Sequence, residues 1–151
     1  MYQDLNKFNQ PSNFRGRSAI TVQLWWLVQA TLFACSPQFM YAWRNFLLRL
    51  FGANIGKNVI IRPTVRVTYP WKLSVGDFAW VGDHAELYTL GKISIGKNAV
   101  ISQNCYLCTG SHDFQLEAFD IYQKPIVVED EAWIAADVYI APGLTIGNGA
   151  V

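Results

Sequence analysis

From Ile55 to the end of this 151-residue chain, an aliphatic residue returns every six positions. Ile55, Ile61 and Val67 form a first run, Val75, Val81 and Leu87 a second, and Ile95, Ile101 and Leu107 a third; after a gap come Val128, Ile134, Ile140 and Ile146. Four residues after most of these aliphatics stands a small or branched residue, among them Val59, Val65, Ala79, Ala85, Ala99, Cys105 and Ala132. An amphipathic helix repeats near 3.6 residues and a lone strand every two, so a beat of six is neither. Short strands joined by tight turns reproduce it, because each turn resets the register and three units close one coil of a solenoid with the aliphatics stacked inside. The three runs begin twenty residues apart, two more than three units need. The surplus falls in VTYPWKLS and LYTLGKIS and predicts a bulge at one corner, repeated coil on coil. Gly56, Gly76, Gly82, Gly96 and Gly147 directly follow an aliphatic, where a corner at positive φ would use them. The expected fold is mainly β, a parallel β-helix over 55–151 with coils about 4.8 Å apart.

Residues 1–54 follow another pattern. Ala19 to Ser36 is an eighteen-residue stretch without a charge, close to the length of a membrane span. Thr21, Gln23, Gln29 and Thr31 dilute it, and Pro37 stops it. A second segment sets Met40, Trp43, Phe46, Leu47 and Leu50 at helical spacing, with Arg44 and Arg49 between them. This predicts two short helices covering the open end of the solenoid, whose first coil otherwise exposes an unpaired edge. Peripheral contact with a membrane surface through residues 19–50 is the alternative, ahead of a true span.

Composition removes several classes of partner. Lys and Arg total 12 against 11 Asp and Glu, which leaves no basic field for nucleic acid. Three cysteines without paired CxxC spacing offer neither a disulfide framework nor a thiolate zinc site, and point to a reducing cytoplasm. The polar first eighteen residues lack the apolar region of a signal peptide. Two histidines are too few for a three-histidine zinc centre, so no metal is expected.

The beat fails after Leu107, and a loop insertion over about 108–127, CTGSHDFQLEAFDIYQKPIV, separates it from Val128. Insertions from a rigid scaffold are where binding residues concentrate. His112 opens this one. Acyl transfer to a hydroxyl needs a base that titrates near neutrality, which histidine supplies, with Asp113 or another carboxylate to orient it. His84, in VGDHAELYTL, precedes the inward Ala85 and is predicted to project from a coil face. Cys105 occupies an inward small position and reads as core. Cys108 points outward by register and offers a weaker, thiol-based route. Trp133, between the inward Ala132 and Ile134, is exposed by register.

IGKNVI, VGDHAE, IGKNAV, IAADVY and IGNGAV resemble the units of the hexapeptide-repeat acyltransferases, whose solenoid is a left-handed parallel β-helix. The left hand comes from that resemblance alone and runs against the usual crossover preference. LWWLVQATLF, FLLRLFGANIG and CTGSHDF are similar to segments of the colanic acid biosynthesis acetyltransferases, and the likeness covers nearly the whole chain. The resemblance implies a homotrimeric, cytoplasmic O-acetyltransferase that moves an acetyl group directly from acetyl-CoA to a sugar hydroxyl in exopolysaccharide biosynthesis. If the acceptor is a lipid-linked saccharide, it also implies a place at the inner membrane face. By the same resemblance His112 is the general base with Asp113 beside it. Trp133, Ala135 and Ala136 then lie along the cofactor between subunits, and Asp83 and His84 face the acceptor. Relatives often carry Gly and Ser at 135 and 136 and Asn at 84, so no side-chain hydroxyl contact forms at Ala136. Family members continue for at least one more coil, which implies a chain running past Val151. The alternatives are N-acetylation of a nucleotide-sugar amine and a non-catalytic scaffold solenoid; the scaffold would show Thr-rich outer faces and no long insertion.

Overall fold

Three columns of short parallel strands enclose the aliphatic rungs in the computed structural model, which describes residues 3–151. The first coil holds β1 (Asn54–Ile55), β2 (Ile60–Ile61) and β3 (Arg66–Val67); the second holds β4 (Leu73–Val75), β5 (Trp80–Val81) and β6 (Glu86–Tyr88). The third holds β7 (Ile93–Ile95), β8 (Val100–Ile101) and β9 (Tyr106–Cys108). A hairpin of β10 (Gly110–His112) and β11 (Ile121–Gln123) then leaves the solenoid. The fourth coil follows as β12 (Ile126–Val128), β13 (Trp133–Ile134) and β14 (Tyr139–Ile140), and β15 (Thr145–Ile146) opens a fifth. The first sheet runs β1-β4-β7-β12-β15, the second β2-β5-β8-β13 and the third β3-β6-β9-β14. Register sets Ile55 beside Val75, Val75 beside Ile95 and Ile95 beside Val128. Like side chains therefore stack along the axis, and the resulting core is continuous from Ile55 to Ile140.

The six-residue beat is the winding it suggested, but the glycines work differently from the expectation. Gly56, Gly76, Gly82 and Gly96 do not have positive φ; the left-handed residue comes two places later, at Asn58, Phe78, His84 and Asn98. What these glycines relieve is crowding between coils. A Cβ on Gly76 would lie 2.7 Å from the Lys97 nitrogen and 2.8 Å from the Gly96 carbonyl carbon. The left-handed corners are held by main-chain bonds, Phe78 N–H to the Lys57 carbonyl and Asn98 N–H to the Asp77 carbonyl, at 2.9 and 3.0 Å. This tolerates even the bulky Phe78, which glycine or asparagine would suit better. The surplus residues do sit at the third corner, in the 3-10 turn Pro70–Lys72 and the turn around Thr89. There the buried Thr89 hydroxyl donates to the Tyr69 carbonyl and accepts from the Tyr69 N–H.

Over the first coil lie α1 (Ala19–Val28), continued by a π-helical turn Gln29–Phe33, and α2 (Tyr41–Leu50). Ser18 caps α1 by accepting from the Thr21 N–H at 3.3 Å. The face that α2 buries overlaps the apolar one read from the sequence only in part. Arg44, Asn45, Leu47 and Leu48 are buried, while Phe46 and Leu50 are 51% and 66% exposed. The cause is the unpaired edge of the first coil. Arg44 Nε donates to the Ile61 carbonyl at 2.7 Å, Asn45 Nδ2 to Val59 at 2.8 Å and Arg49 Nε to Ile55 at 3.0 Å. From α1, Trp25 Nε1 donates to the Val67 carbonyl at 2.8 Å, and Gln29 Oε1 accepts from the Val67 N–H at 2.7 Å.

Substituting Gly76 by alanine forces a methyl group against rigid backbone of the next coil. Urea unfolding should show a loss of about 1–3 kcal/mol, the usual cost of overpacking. The same change at Gly147, which has open space around its Cβ position, should be nearly neutral.

Candidate functional site

The insertion is not an irregular loop. It is an antiparallel hairpin in which His112 pairs with Ile121 and Ser111 with Tyr122, and the solenoid claims more of its ends than expected, since β9 includes Cys108 and β12 begins at Ile126. The hairpin places His112 half-buried against a cleft of about 550 Å³ lined by Ser111, Asp113, Asp120, Tyr122 and Lys124. Phe119, at a left-handed turn position with φ of 52°, turns its carbonyl toward the ring, 2.7 Å from His112 Nδ1. A carbonyl oxygen can only accept, so Nδ1 donates and the neutral ring carries its lone pair on Nε2. The Phe119 ring stacks on the imidazole with centroids 4.3 Å apart and planes 6° from parallel. Phe8 approaches from elsewhere, with its centroid 5.9 Å away. It is brought there by the Asp4 N–H bond to the Glu117 carbonyl and the Lys7–Glu117 ion pair, 2.9 and 2.8 Å.

Asp113 does not orient the ring. Its Oδ1 accepts from the Gln115 N–H at 2.9 Å, an Asx turn that shapes the hairpin, and its N–H donates to the Asp120 carbonyl at 2.8 Å. The orienting partner is the main-chain carbonyl of Phe119.

Asp83 and His84 occupy a second location, the corner between the second and third sheets. His84 is exposed with φ of 58°, and Asn104 and Asp137 take the same left-handed conformation at the equivalent corners above it. Its projection thus comes from a turn rather than from a coil face. Beside it, Arg62 Nε and Thr64 Oγ1 donate to the two Asp83 oxygens at 2.8 and 2.9 Å. Burial alone would raise the Asp83 carboxyl, but these bonds outweigh it and hold the group below the usual carboxylate range. The Asp83 hydrogen bond in turn raises the Arg62 guanidinium. A groove of about 630 Å³ opens here, lined by Tyr41, Trp80, Asp83, His84, Ser102 and Asn104.

Trp133 adjoins that groove. It is half-exposed on the outer face of the second sheet, in one column with Val100 and Trp80, and its Nε1 donates to Ser102 Oγ at 2.9 Å. Ala135 is exposed and Ala136 half-buried beside the next corner. Asp83, His84 and Trp133 therefore share one side of the solenoid, while His112 and Asp113 line a separate cleft. The thiols take no part in either. Cys105 is fully buried, its Sγ donates to the Ala135 carbonyl at 2.9 Å, and burial pushes its pKa up. Cys108 keeps its outward register, in one column with Tyr88, but is buried there, its Sγ donating to the Gly110 carbonyl at the base of the hairpin at 3.0 Å. Among the described residues no group of three or more His, Cys, Asp and Glu could hold a metal ion.

Sequence reasoning missed Phe119, Phe8, Arg62 and Thr64. The last two were detectable, since Thr64 stands twenty residues before His84 and so one coil beneath it. Nothing in the sequence announces that a segment over 100 residues away supplies Phe8.

Among known proteins, the chain is 63% identical over 149 residues to "Putative colanic acid biosynthesis acetyltransferase WcaF" of Escherichia coli strain K12, covering 99% of this chain and 82% of that one. This chain belongs to the colanic acid biosynthesis acetyltransferase family. No family model matches it. Two solved structures share the fold. Galactoside acetyltransferase in complex with coenzyme A superposes with a TM-score of 0.78 at 22% identity, over 93% of this chain and 70% of that one. A hexapeptide-repeat acetyltransferase from Vibrio cholerae O1 biovar eltor, complexed with acetyl coenzyme A, gives 0.76 at 23% identity, over 89% and 75%. The parallel β-helix is left-handed, as in these acetyltransferases, and membership of the family makes the chain an acyltransferase.

The tautomer can be observed directly. Long-range proton–nitrogen NMR correlation on histidine-labelled protein, at a pH where the ring is neutral, should show the His112 proton on Nδ1. A proton on Nε2 would break the link between the Phe119 carbonyl and a free Nε2.

Proposed function

We propose that the chain transfers an acetyl group from acetyl-CoA to a saccharide hydroxyl, with His112 as general base and with each site completed by a neighbouring subunit of a homotrimer. The observation that carries this reading is the 2.7 Å bond between His112 Nδ1 and the Phe119 carbonyl, which leaves Nε2 as the basic nitrogen beside the cleft. Family membership supplies the reaction class, and the relative's name, which refers to colanic acid biosynthesis, supports a saccharide acceptor. Acetyl-CoA is the acyl donor, and the bound coenzymes in the solved structures with the same fold support it. The cytoplasm is where that donor is made, and it suits a chain with free thiols at Cys35, Cys105 and Cys108.

The chemistry needs one proton moved twice. As the acceptor oxygen bonds to the thioester carbonyl carbon, His112 Nε2 takes the hydroxyl proton, while Nδ1 stays on the Phe119 carbonyl and the developing positive charge spreads over a ring stacked on Phe119. When the carbon–sulfur bond breaks, the imidazolium returns the proton to the thiolate leaving group. The thioester carries the acyl group throughout, so no enzyme thiol is required, in keeping with the burial of Cys105 and Cys108.

Asp83 is the acceptor ligand in this reading: its carboxylate is charged over the working range and already fixed by Arg62 and Thr64. His84 stands at the rim. Trp133, with the small Ala135 and Ala136 beside it, offers a flat apolar surface and open backbone for the donor's pantetheine arm. Because this side of the solenoid and the His112 hairpin are separate in one chain, a neighbouring subunit must bring its hairpin to this groove. A ring of three such contacts closes on itself.

Turnover of a saccharide acceptor, read as coenzyme A release, should fall by about 10²–10⁴-fold in His112→Ala, with the thermal midpoint little changed. Undiminished turnover would reject the role. Mixing decides the assembly: His112→Ala and Asp83→Ala, each impaired alone, should regain activity when co-expressed, because a mixed trimer holds at least one interface with both residues intact. No recovery would mean that each subunit builds its site alone.

A further inference from the structure

Both faces of α1 are apolar, yet only one is covered. Val22, Trp25 and, in the π-helical turn, Phe33 are buried against the first coil, while on the opposite side Ile20 is 80% and Leu27 62% exposed. A helix that is apolar all round normally has apolar surroundings all round. The exposed stripe continues onto α2, since Leu24 and Leu50 line one depression with Arg17, and the Trp43 indole reaches back to donate to the Leu32 carbonyl and stacks on Phe46. From Ser18 to Trp43 there is no charged residue. Ten residues of α-helix and five of π-helix extend only about 22 Å, short of the roughly 30 Å of a hydrocarbon core. No helix among the described residues is long and apolar enough to cross a membrane.

Charge says what this face would meet. Residues 1–54 contain five basic residues and one acid, Asp4, whereas residues 55–151 contain seven basic residues and ten acids. Arg17 stands exposed at the edge of the patch. Arg44 is buried and Lys7 is paired with Glu117, but Arg15, Arg17 and Arg49 remain and no acid stands between Asp4 and Asp77, so the cap is the cationic end of a molecule whose solenoid is anionic, which favours an anionic surface on one side only. Direction adds a further argument, which rests on the trimer proposed above. Side-by-side contacts between solenoids leave their ends free, and a three-fold ring with parallel axes would place three caps in one plane.

We infer that the outer face of α1 and α2 docks on the headgroup region of an anionic phospholipid bilayer, with Ile20, Leu24, Leu27 and Leu50 inserted and Arg17 at the phosphate level. Three coplanar patches would make a weak individual contact into stable attachment. The candidate acceptor corner follows from this. A groove of about 670 Å³ runs between Trp26, Ala30 and Ala34 and the first coil, reaching His84. Its Trp26 and Ala30 wall belongs to the same helical segment as Ile20, Leu24 and Leu27, so a saccharide carried on a membrane lipid would reach the site without leaving its anchor.

Co-sedimentation tests the docking. The chain should pellet with vesicles containing phosphatidylglycerol and much less with phosphatidylcholine alone. The double variant Ile20→Gln, Leu27→Gln, with helix content checked by circular dichroism, should lose several-fold of this binding while still acetylating a soluble acceptor in vesicle-free buffer. Failure of the wild type to pellet, or equal pelleting by the variant, would overturn the inference. So would a smaller assembly for the variant by light scattering, which would make the patch a subunit interface. Loss of soluble acetyl transfer by the wild type would instead count against the proposed reaction and leave the vesicle result standing.

Discussion

A parallel solenoid has ends, and each end is a row of main-chain groups with no next coil to pair with. The two helices before the first coil answer that constraint. The carbonyls of Ile55, Val59, Ile61 and Val67 are met by Arg49, Asn45, Arg44 and Trp25. Leaving such groups buried and unpaired would cost about 1–3 kcal/mol each. Long polar side chains reach further than leucine can, so α2 turns Arg44 and Asn45 inward beside Leu47 and Leu48. Arg44 goes to complete burial, its guanidinium also donating to Ser36 Oγ and to the carbonyls of Pro37 and Gln38. The consequence is a rotated helix, with Phe46 and Leu50 left on the outside beside the bare face of α1.

Stacking inside the solenoid imposes the other rule, that the backbone repeats closely from coil to coil. Where coils touch at a corner, Gly76 lies under Gly96 and over Gly56, because a side chain would collide with backbone. Two residues later the chain must pass through the left-handed region, and bonds to the coil below hold it there, to main-chain carbonyls at Phe78, Asn98, Asn104 and Asp137 and to the Thr64 hydroxyl at His84. That is why His84 appears at such a corner in series with Asn104 and Asp137. Its backbone conformation is a property of the fold, and any chemistry it performs comes in addition.

The same rigidity makes departures from the repeat informative. The hairpin is the one long excursion, and it is stiffened at its base by strand pairing and at its tip by the Asp113 turn. Phe119 holds the imidazole twice, by its carbonyl and by its ring. Fixing both tautomer and plane by neutral groups means that the imidazole is oriented without a neighbouring carboxylate, and the adjacent Asp113 takes a structural task. The remaining candidate groups, Asp83 and Trp133, sit on another side of the solenoid, away from the hairpin cleft.

The winding was legible in the chain because stacking couples residues about twenty apart through identical environments, and identical environments select similar residues. From that periodicity alone follow the core, the inward Cys105, the outward Trp133 and the bulged third corner. Recognition of the family, and with it the acyltransfer chemistry and the left hand, rested on short motifs such as CTGSHDF rather than on any calculable preference. Only the tertiary structure decided which face α2 buries, that the insertion is a hairpin, that the outward Cys108 is covered, and that Phe119 rather than Asp113 holds His112. Each of these depends on one hydrogen bond to a main-chain group whose position is set by distant packing, and a linear pattern of apolar and polar letters carries no record of where unpaired carbonyls will lie.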